Sequence, residues 1–442
     1  MILVRLRTPV VVRSAARCPA IVARFPAIGT HRRTAARELM RRTDLISNPS
    51  PDVPPRTGRN RPPADADTQT GDLFMSRVVH SAGAALVSCA LAGTLAAQPA
   101  TIRQYQYAPR ADGQAYELVL KTVPRPVPGP HDVLVRIHAT SINGGYDVEM
   151  RDSKPGGENN ATGGIPFADG AGEVAAVGAD VTRFKVGDRV AGIFMQRWLD
   201  GDRTADAFAS SRGGNSGGML AEMIVSDEQS LVAIPKHLSY EEAATLPTAG
   251  VTAWNGLFKY GHVKASDYVL LEGTGGVSTF GLVLSIAAGA KPIITSSSDA
   301  KLERARKLGA FGTVNYRQNE DWQKEVRRLT GGAGVKQVLE VGGQRTIAKA
   351  LEALALDGHV ALIGSLSGFA EQIPVGPLFG AGAHLSAIYV GSRADFEAMN
   401  AFIAVHEIHP VIDRVLEFED APMAFELMAH GDYMGKIVVH VR

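Results

Sequence analysis

Strand-like and helix-like patterns alternate between residues 268 and 390. Short runs of β-branched residues are predicted as strands at Tyr268–Gly273, Pro292–Ser296, Gly312–Asn315, Gln337–Val341, His359–Gly364 and Leu385–Val390. Helical periodicity predicts helices between them, at Val277–Ala288, Ala300–Leu308, Asp321–Leu329 and Thr346–Ala355. Because repeated β–α units form a parallel sheet with helices on both faces, the sequence predicts an α/β fold with a doubly wound Rossmann sheet.

A glycine-rich turn follows the first of these predicted strands. Gly273, Gly275 and Gly276 stand between the strand and an apolar helix that begins near Val277. The first glycine permits a tight turn, the second lets the backbone approach a pyrophosphate, and the helix N terminus supplies N–H groups. Ser278 stands where the dinucleotide-binding fingerprint has its third glycine. A tight loop alone would also explain the glycines, but their position before a series of β–α units favours a dinucleotide site.

The end of the second predicted strand distinguishes between the two nicotinamide cofactors. An NAD site has a carboxylate there, about 20 residues after the glycines, that binds the ribose 2′-hydroxyl. This chain has Ser296 and Ser297 instead, with Lys301 one turn into the next helix. Because hydroxyl donors and a cation suit a 2′-phosphate, we expect NADP(H) in preference to NAD(H). Asp299 is expected to start the helix rather than bind ribose, and Lys301 could instead lie on a solvated helix face.

The segment before the parallel sheet has the pattern of a β-rich domain. Strands are predicted at Asp132–Ile137, Gly172–Val177 and Val186–Val190, with Gly and Pro between them. After the parallel sheet, the pattern predicts helices at Asp395–Val405 and Ala421–Ala429 and a last strand at Lys436–Val441. We therefore expect a β-rich domain at 101–235, the Rossmann domain at 236–392 and a C-terminal segment at 393–442.

Charge and cysteine content exclude two kinds of protein. The formal net charge is +1 over 442 residues, which argues against a nucleic-acid-binding surface. Cys18 and Cys89 are the only cysteines in the sequence. The chain after residue 100 therefore cannot form a disulfide or supply thiolate ligands to a metal.

Residues 1–74 differ in composition from the rest of the chain. Up to Arg37 the chain contains several arginines but no acidic residue, which resembles a transit peptide. A disordered extension or a wrongly chosen start codon explains the same composition. We expect this stretch to be disordered or untranslated.

Residues 75–100 resemble a secretory signal peptide. A basic start at Met75–Arg77 precedes an apolar run to Ala97, with small residues near its end. A lipoprotein signal at Cys89 is disfavoured because the apolar run continues past it, and a permanent membrane span because the run is rich in Ala, Gly and Ser. A working signal would export a chain that begins near Ala97 or Gln98. NADP(H) use favours the cytoplasm, so the compartment stays open.

The body of the chain resembles a known family. The matching segments are Phe184–Val190, Glu241–Pro247, Gly250–Trp254, Lys307–Ala310, Val314–Tyr316 and Gly435–Val438. In this order they resemble the medium-chain dehydrogenase/reductase superfamily, in particular its zinc-free branch near the quinone oxidoreductases. The resemblance extends from about Arg103 to the C terminus.

This resemblance implies a GroES-like catalytic domain that the C-terminal segment completes, and hydride transfer to or from a small-molecule substrate in the cleft beside the Rossmann domain. It also implies homodimers formed through the edge strand of the Rossmann sheet. Quinone oxidoreductases use a Lys and a Tyr to contact the 2′-phosphate, and Lys301 and Tyr316 lie at those positions. Thr252, Val277 and Gly364 are further expected cofactor contacts.

The chain departs from its zinc-dependent relatives at the metal site. Asn143, Ala168 and Thr248 stand at the positions of the catalytic zinc ligands in those relatives, so the sequence predicts no zinc. Without a metal, Asn143 or Tyr146 could donate to a developing oxyanion, and Thr248 is the third expected catalytic residue. Equally, Asn143 could cap a turn, Tyr146 could line the cleft wall, and Asp147 could start a helix.

The substrate is the least constrained feature. The long loop Met195–Gly217 either borders the cleft or is a surface insertion. The resemblance allows a quinone, an enone, an aldehyde or an alcohol. A non-catalytic protein that binds or senses NADPH on the same fold is the alternative from a different class.

Overall fold

The computed structural model describes residues 100–157, 161–214, 216–368 and 372–442. The strands in these ranges are β1 Thr101–Pro109, β2 Tyr116–Pro124, β3 Asp132–Ser141, β4 Asp169–Val177, β5 Arg189–Gly192, β6 Met223–Asp227, β7 Leu231–Ala233, β8 Tyr268–Leu271, β9 Lys291–Ser296, β10 Gly312–Asn315, β11 Val335–Glu340, β12 Leu354–Leu362, β13 His384–Ala387, β14 Ile412–Glu417 and β15 Lys436–His440. The extension and signal predicted within residues 1–99 lie outside the described residues.

The α-helices of the described ranges are α1 Tyr146–Asp152, α2 Ala205–Phe208, α3 Tyr240–Ala243, α4 Val251–Trp254, α5 Gly276–Ala287, α6 Asp299–Lys307, α7 Trp322–Leu329, α8 Ile347–Ala353, α9 Val375–Ala381, α10 Arg393–Val405 and α11 Met423–His430. Two π-helical segments, Leu246–Gly250 and Asn255–Lys259, flank α4. Among these helices, none combines the length and apolar character needed to cross a bilayer.

The parallel sheet has the strand order β10-β9-β8-β11-β12-β13. All its strand pairs are parallel, as the predicted β–α alternation requires. In chain order this is 3-2-1-4-5-6, the doubly wound arrangement in which a dinucleotide binds where the order reverses. The α/β prediction is therefore confirmed, and the reversal lies between β8 and β11.

The second sheet combines strands from both ends of the described chain. It has seven strands, in the order β14-β15-β3-β4-β5-β7, with β6 also paired to β3. The C-terminal strand β15 is antiparallel to β3, with Val439 opposite Thr140. The C-terminal segment thus completes the sheet that residues 132–233 begin.

The start of β15 contacts the glycine-rich turn of the parallel sheet. Gly435 N donates to Thr274 O over 2.9 Å, and Gly435 and Gly275 form an isolated β-bridge. This contact brings Lys436, the first residue of β15, next to the turn.

One predicted strand is displaced. Val186–Val190 was expected to be extended, but β5 begins only at Arg189. Gly187 has a φ of 90°, and the Asp188 carboxylate accepts from Lys185 N over 2.9 Å. The first part of the predicted strand is therefore a turn, because a residue with this φ cannot continue a β-strand.

Candidate functional site

The glycine-rich turn has the geometry of a dinucleotide loop. Gly273 has a φ of 74°, a conformation that favours glycine, and its N–H donates to Thr295 Oγ1 over 3.1 Å. A Cβ on Gly275 would meet no heavy atom within 4 Å, so the space beside this residue is open. The helix α5 begins directly afterwards, and Val277 in its first turn is partly buried.

Gly276 and Ser278 have packing roles in the same turn. A Cβ on Gly276 would lie 2.8 Å from Lys436 Cδ. Ser278 is buried, and its hydroxyl donates to Glu272 O over 2.6 Å. The serine at the third fingerprint position is therefore accommodated by a hydrogen bond.

Three of the residues predicted to distinguish the cofactors, Ser296, Ser297 and Tyr316, lie at or directly after the ends of β9 and β10, while Lys301 lies on α6. Ser296 is buried, Ser297 is partly buried, and Tyr316 N donates to Ser296 O over 3.1 Å. Tyr316 keeps 41% of its side chain exposed. Lys301 Nζ donates to Gly431 O over 2.6 Å and lies 3.9 Å from an Asp432 carboxylate oxygen.

Asp299 occupies the helix start that the sequence predicted. It is the first residue of α6, and Ser298 is the N-cap. Its carboxylate accepts from Asn315 Nδ2 over 2.8 Å and from Gln318 Nε2 over 2.7 Å. Two other expected cofactor contacts lie on other elements: Thr252 is buried on α4, and Gly364 follows β12.

A buried ammonium group lies next to the glycine-rich turn. Lys436 is 2% exposed, and its Nζ donates to Ile142 O over 2.8 Å and to Asn143 Oδ1 over 2.6 Å. Asp169 Oδ2 lies 3.5 Å from the same Nζ. Burial lowers the pKa of Lys436, and the carboxylates of Asp169 and Asp147 oppose this effect.

Asp169 connects Lys436 to Thr248. Its carboxylate is fully buried, and Thr248 Oγ1 donates to its Oδ1 over 2.5 Å. Burial raises the pKa of Asp169, while the Lys436 ammonium and the Thr248 hydrogen bond lower it. Thr248 itself is partly exposed, on the π-helical segment before α4. Hydrogen bonds thus lead from a partly exposed threonine to a buried Lys–Asp pair.

Asp147 is a second buried carboxyl group in this cluster. It accepts from Asn143 N over 2.7 Å, from Asn143 Nδ2 over 3.3 Å and from Ala168 N over 3.1 Å. Burial, together with the nearby Asp169, raises the pKa of Asp147 to about 7. Asp147 is the second residue of α1, whose N-cap is Gly145. The Asn143 side chain, proposed as an alternative to cap a turn, instead joins Lys436 to Asp147.

Tyr146 precedes Asp147 and is the first residue of α1. Its ring makes an edge contact with Phe194 at a centroid distance of 4.9 Å, and burial raises its pKa. A Cβ on Gly214 would be 2.5 Å from the Tyr146 hydroxyl oxygen, so the hydroxyl lies against the loop Met195–Gly217. Phe208 of this loop contacts Tyr389 at 5.1 Å.

Asn143 and Thr248 therefore contact two residues that no sequence motif identified, Lys436 and Asp169, while the Ala168 backbone contacts Asp147. The signal for Lys436 and Asp169 was a charged side chain inside an apolar stretch, since Lys436 precedes Ile437–Val439 and Asp169 follows Phe167 and Ala168. In a buried strand such charges need partners. Among the described residues, no group of three His, Cys, Asp or Glu side chains is arranged to hold a metal.

Comparisons with known proteins agree with this architecture. The family described as "Alcohol dehydrogenase GroES-like domain" matches residues 129–236, and the family described as "Zinc-binding dehydrogenase" matches residues 276–405. The first match confirms the expected GroES-like domain.

The alignments with individual relatives cover most of the length of each relative. A zinc-type alcohol dehydrogenase-like protein of Schizosaccharomyces pombe is 40% identical over 71% of this chain and 91% of the relative. Quinone oxidoreductase-like protein 2 of Bos taurus is 27% identical over 77% of this chain and 93% of the relative. A solved structure titled NAD-dependent alcohol dehydrogenase is 31% identical, with a TM-score of 0.68, covering 77% of this chain and 100% of that chain.

The fold, the family matches and these relatives agree with the resemblance carried by the sequence motifs. The chain belongs to the medium-chain dehydrogenase/reductase superfamily and is an oxidoreductase of the alcohol dehydrogenase-like and quinone oxidoreductase-like kind.

Proposed function

We propose that this protein uses a nicotinamide cofactor to transfer hydride to or from a small quinone, enone, aldehyde or alcohol, and that it does so without zinc. The observation that carries the proposal is the position of the Lys436 ammonium, which lies beside the glycine-rich turn and 2.6 Å from Asn143 Oδ1. The glycine-rich turn and a buried lysine are thus in direct contact.

The proposed cofactor is NADP(H), with NAD(H) binding more weakly. When bound, it supplies or accepts the hydride. Gly273, Gly275 and the N terminus of α5 would hold its pyrophosphate, because they combine open backbone with N–H donors. Ser296, Ser297, Lys301 and Tyr316 would surround the 2′-phosphate: the hydroxyls lie at or directly after the ends of β9 and β10, and Lys301 lies in the first turn of the next helix.

The residues at the metal position do not fit zinc. Catalytic zinc needs three protein ligands at about 2.0–2.3 Å, usually His, Cys or carboxylate. Ala168 offers no side-chain ligand, and both ends of the Asn143 amide are already hydrogen-bonded. The Lys436 ammonium would also repel a second cation at this point. We therefore assign no metal step to this site.

Without a metal, hydrogen-bond donors of the protein would polarise the substrate oxygen. Thr248 is partly exposed at the cluster and is proposed to contact the substrate oxygen, with Asn143 behind it. Tyr146 and Phe208 would form the cleft wall together with Tyr389, which favours a substrate with an apolar body. The homodimer that the family implies would form through β13, the edge strand of the parallel sheet.

A panel assay tests this function. Oxidation of NADPH is followed with a quinone, an enone and an aldehyde, and NADPH binding is measured separately by calorimetry. Turnover with one of these substrates supports the oxidoreductase. Tight NADPH binding without turnover of any of these substrates, or of alcohols with NADP⁺, would instead support a sensing protein. The observation that favours this alternative is that both ends of the Asn143 amide are hydrogen-bonded within the protein.

A further inference from the structure

We propose that Thr248, Asp169 and Lys436 form the proton path of the reaction: Thr248 passes the proton of the substrate oxygen to Asp169, and Lys436 holds the accepting carboxylate. The inference rests on the proposed hydride transfer and assigns the proton that must accompany it. Thr248 is the catalytic residue of this path because it alone would touch the substrate. Asp169 and Lys436 act through it.

The geometry gives each group one part of the path. Thr248 Oγ1 donates its proton to Asp169 Oδ1 over 2.5 Å, so its lone pairs can accept a proton from a substrate hydroxyl. Asp169 has no solvent exposure, and Thr140 Oγ1 donates to its backbone carbonyl. Thr248 is therefore the partly exposed residue that contacts a carboxylate with no exposure of its own.

In the alcohol-oxidising direction, two proton transfers accompany the hydride transfer. The substrate hydroxyl proton moves to Thr248 Oγ1 while the proton of Thr248 moves to Asp169 Oδ1. The C–H electron pair leaves as hydride to the oxidised nicotinamide cofactor, and a C=O bond forms. The products are a carbonyl compound, the reduced cofactor and a neutral Asp169, whose proton passes back through Thr248 to solvent once the product has left. Carbonyl reduction follows the reverse order and begins with Asp169 protonated.

Lys436 fixes the charge balance of this path. Its Nζ lies 3.5 Å from Asp169 Oδ2 and donates to two neutral oxygens, Ile142 O and Asn143 Oδ1. The other groups that face Asp169 are Thr248, Ser141, the Asn143 amide and the carboxyl of Asp147. Burial lowers the pKa of Lys436, and the three acceptors around Nζ oppose the loss of its positive charge beside the carboxylate.

A contribution to folding stability does not explain why Lys436 and Asp169 are buried as a pair. Burying an ion pair costs desolvation that its attraction often fails to offset, and apolar replacements are commonly as stable or more stable. A buried Lys–Asp pair that is joined to a partly exposed threonine therefore has a functional interpretation.

A matched pair of substitutions tests the path. Thr248→Val removes the hydroxyl at nearly constant volume, and Thr248→Ser retains it. With the substrate that the wild-type holoenzyme turns over, we expect kcat to fall about 100-fold or more in Thr248→Val and to stay within about fivefold in Thr248→Ser. The NADPH Kd, measured by calorimetry, should remain within about threefold in both variants.

A second measurement needs no activity. Lys436→Met leaves two buried carboxyl groups without a cation, so the melting temperature at pH 8 should drop by about 5 °C or more. Adding Asp169→Asn to Lys436→Met should restore part of that loss, because the uncompensated charge is removed. Purely additive effects of the two substitutions would overturn the role assigned to Lys436.

The outcomes distinguish a failure of the proton path from a failure of the proposed oxidoreductase function. Wild-type turnover with equal kcat in Thr248→Val and Thr248→Ser would overturn the proton path and leave the oxidoreductase standing. No turnover by the wild type, with NADPH still bound, would overturn both.

Discussion

Lys436 is the residue on which the electrostatics of the site depend. It starts a strand whose next residues are apolar and buried, yet its ammonium is surrounded by three oxygen acceptors. A lysine of this kind keeps its charge only if its partners stay in place. The positions of Asn143 and Asp169 are therefore coupled to one another through a single side chain.

At the 2′-phosphate site, Lys301→Ala should weaken NADPH binding about 10- to 100-fold, because one charge-assisted hydrogen bond is worth roughly 1.5–3 kcal/mol. NADH lacks the phosphate, so its Kd should change by less than about threefold. Tyr316→Phe should act in the same direction with a smaller effect. Calorimetry with both cofactors measures this.

Lys307→Ala is a matched control, since Lys307 is exposed at the end of the same helix. It should leave both affinities unchanged. Because Lys301 also bonds Gly431 O, a purely structural role would weaken NADH and NADPH equally. Such an equal loss, or equal affinities in the wild type, would show that the end of β9 does not select NADP(H).

Asp147 predicts how stability depends on pH. Its pKa is about 7 when folded against an ordinary value of 3.8, so the folded state holds the proton more tightly than the unfolded state. Its contribution to stability is therefore complete below pH 4 and is lost as the pH rises to about 7. Between pH 5 and 8 the loss amounts to roughly 2–3 kcal/mol.

Urea unfolding of the wild type and of Asp147→Asn across this pH range checks the assignment. Asparagine does not titrate, so the variant should show a flatter profile, even if it is less stable overall. Subtracting the two profiles removes the contributions of other titrating groups. Parallel profiles would mean that Asp147 is not the titrating group.

Among the elements, the glycine-rich turn contains two neighbouring glycines with different roles: Gly276 is needed for packing, and Gly275 leaves space for the cofactor. Gly276→Ala should destabilise the fold by about 1–3 kcal/mol, because the new Cβ would lie 2.8 Å from Lys436 Cδ and 3.2 Å from Ala249 Cβ. Gly275→Ala meets open space at a φ of −78°, so stability should stay within about 0.5 kcal/mol.

Cofactor affinity should change in Gly275→Ala nonetheless, because the added methyl group occupies the space through which the pyrophosphate approaches. Thermal unfolding without cofactor and calorimetry with NADPH measure the two effects. Unchanged NADPH affinity in Gly275→Ala would indicate that the cofactor does not use this turn.

Element types were predictable where a local pattern determines them. The six strands of the parallel sheet follow from β-branched runs between helical segments. Boundaries were less predictable: β12 begins at Leu354, before the predicted His359, because α8 ends at Ala353 and the chain enters the strand directly. At Val186–Val190, β-branched residues suggested a strand, but Gly187 and Asp188 form a turn.

The site was only partly predictable for a different reason. The cofactor turn is contiguous in sequence, so its glycines could be identified. Asp169, Thr248 and Lys436 are far apart in the chain. Asp169 and Lys436 meet because β15 pairs with β3 and β3 pairs with β4, and the π-helical segment Leu246–Gly250 brings Thr248 to Asp169. No periodic pattern links them, and Asn143 and Thr248 were identified only through the family resemblance.

At the scale of the whole molecule, one edge of the parallel sheet predicts the oligomeric state. β13 ends the sheet order, and the neighbouring α9 exposes Val375 and Phe379 at 70% and 87%. Unpaired strand edges and exposed apolar side chains are typical of subunit interfaces. We predict a homodimer through this edge, which light scattering coupled to size exclusion would detect.

Phe379→Glu should shift the protein to a monomer, since a charge would be buried at the interface. Val127→Glu is the control: Val127 is 78% exposed but lies between β2 and β3, outside the parallel sheet. A dimer that persists in Phe379→Glu, or a monomeric wild type, would contradict this assignment.

The central claim is hydride transfer without a metal, and one measurement tests it most directly. Purified protein is treated with a chelator, its zinc content is determined by elemental analysis, and turnover with NADPH is measured in the same sample. We predict full activity at well below about 0.1 zinc per chain, because Asn143, Ala168 and Thr248, which stand at the positions of the zinc ligands in zinc-dependent relatives, do not supply a zinc-binding set. About one zinc per chain, with activity lost to the chelator and restored by zinc, would contradict the account.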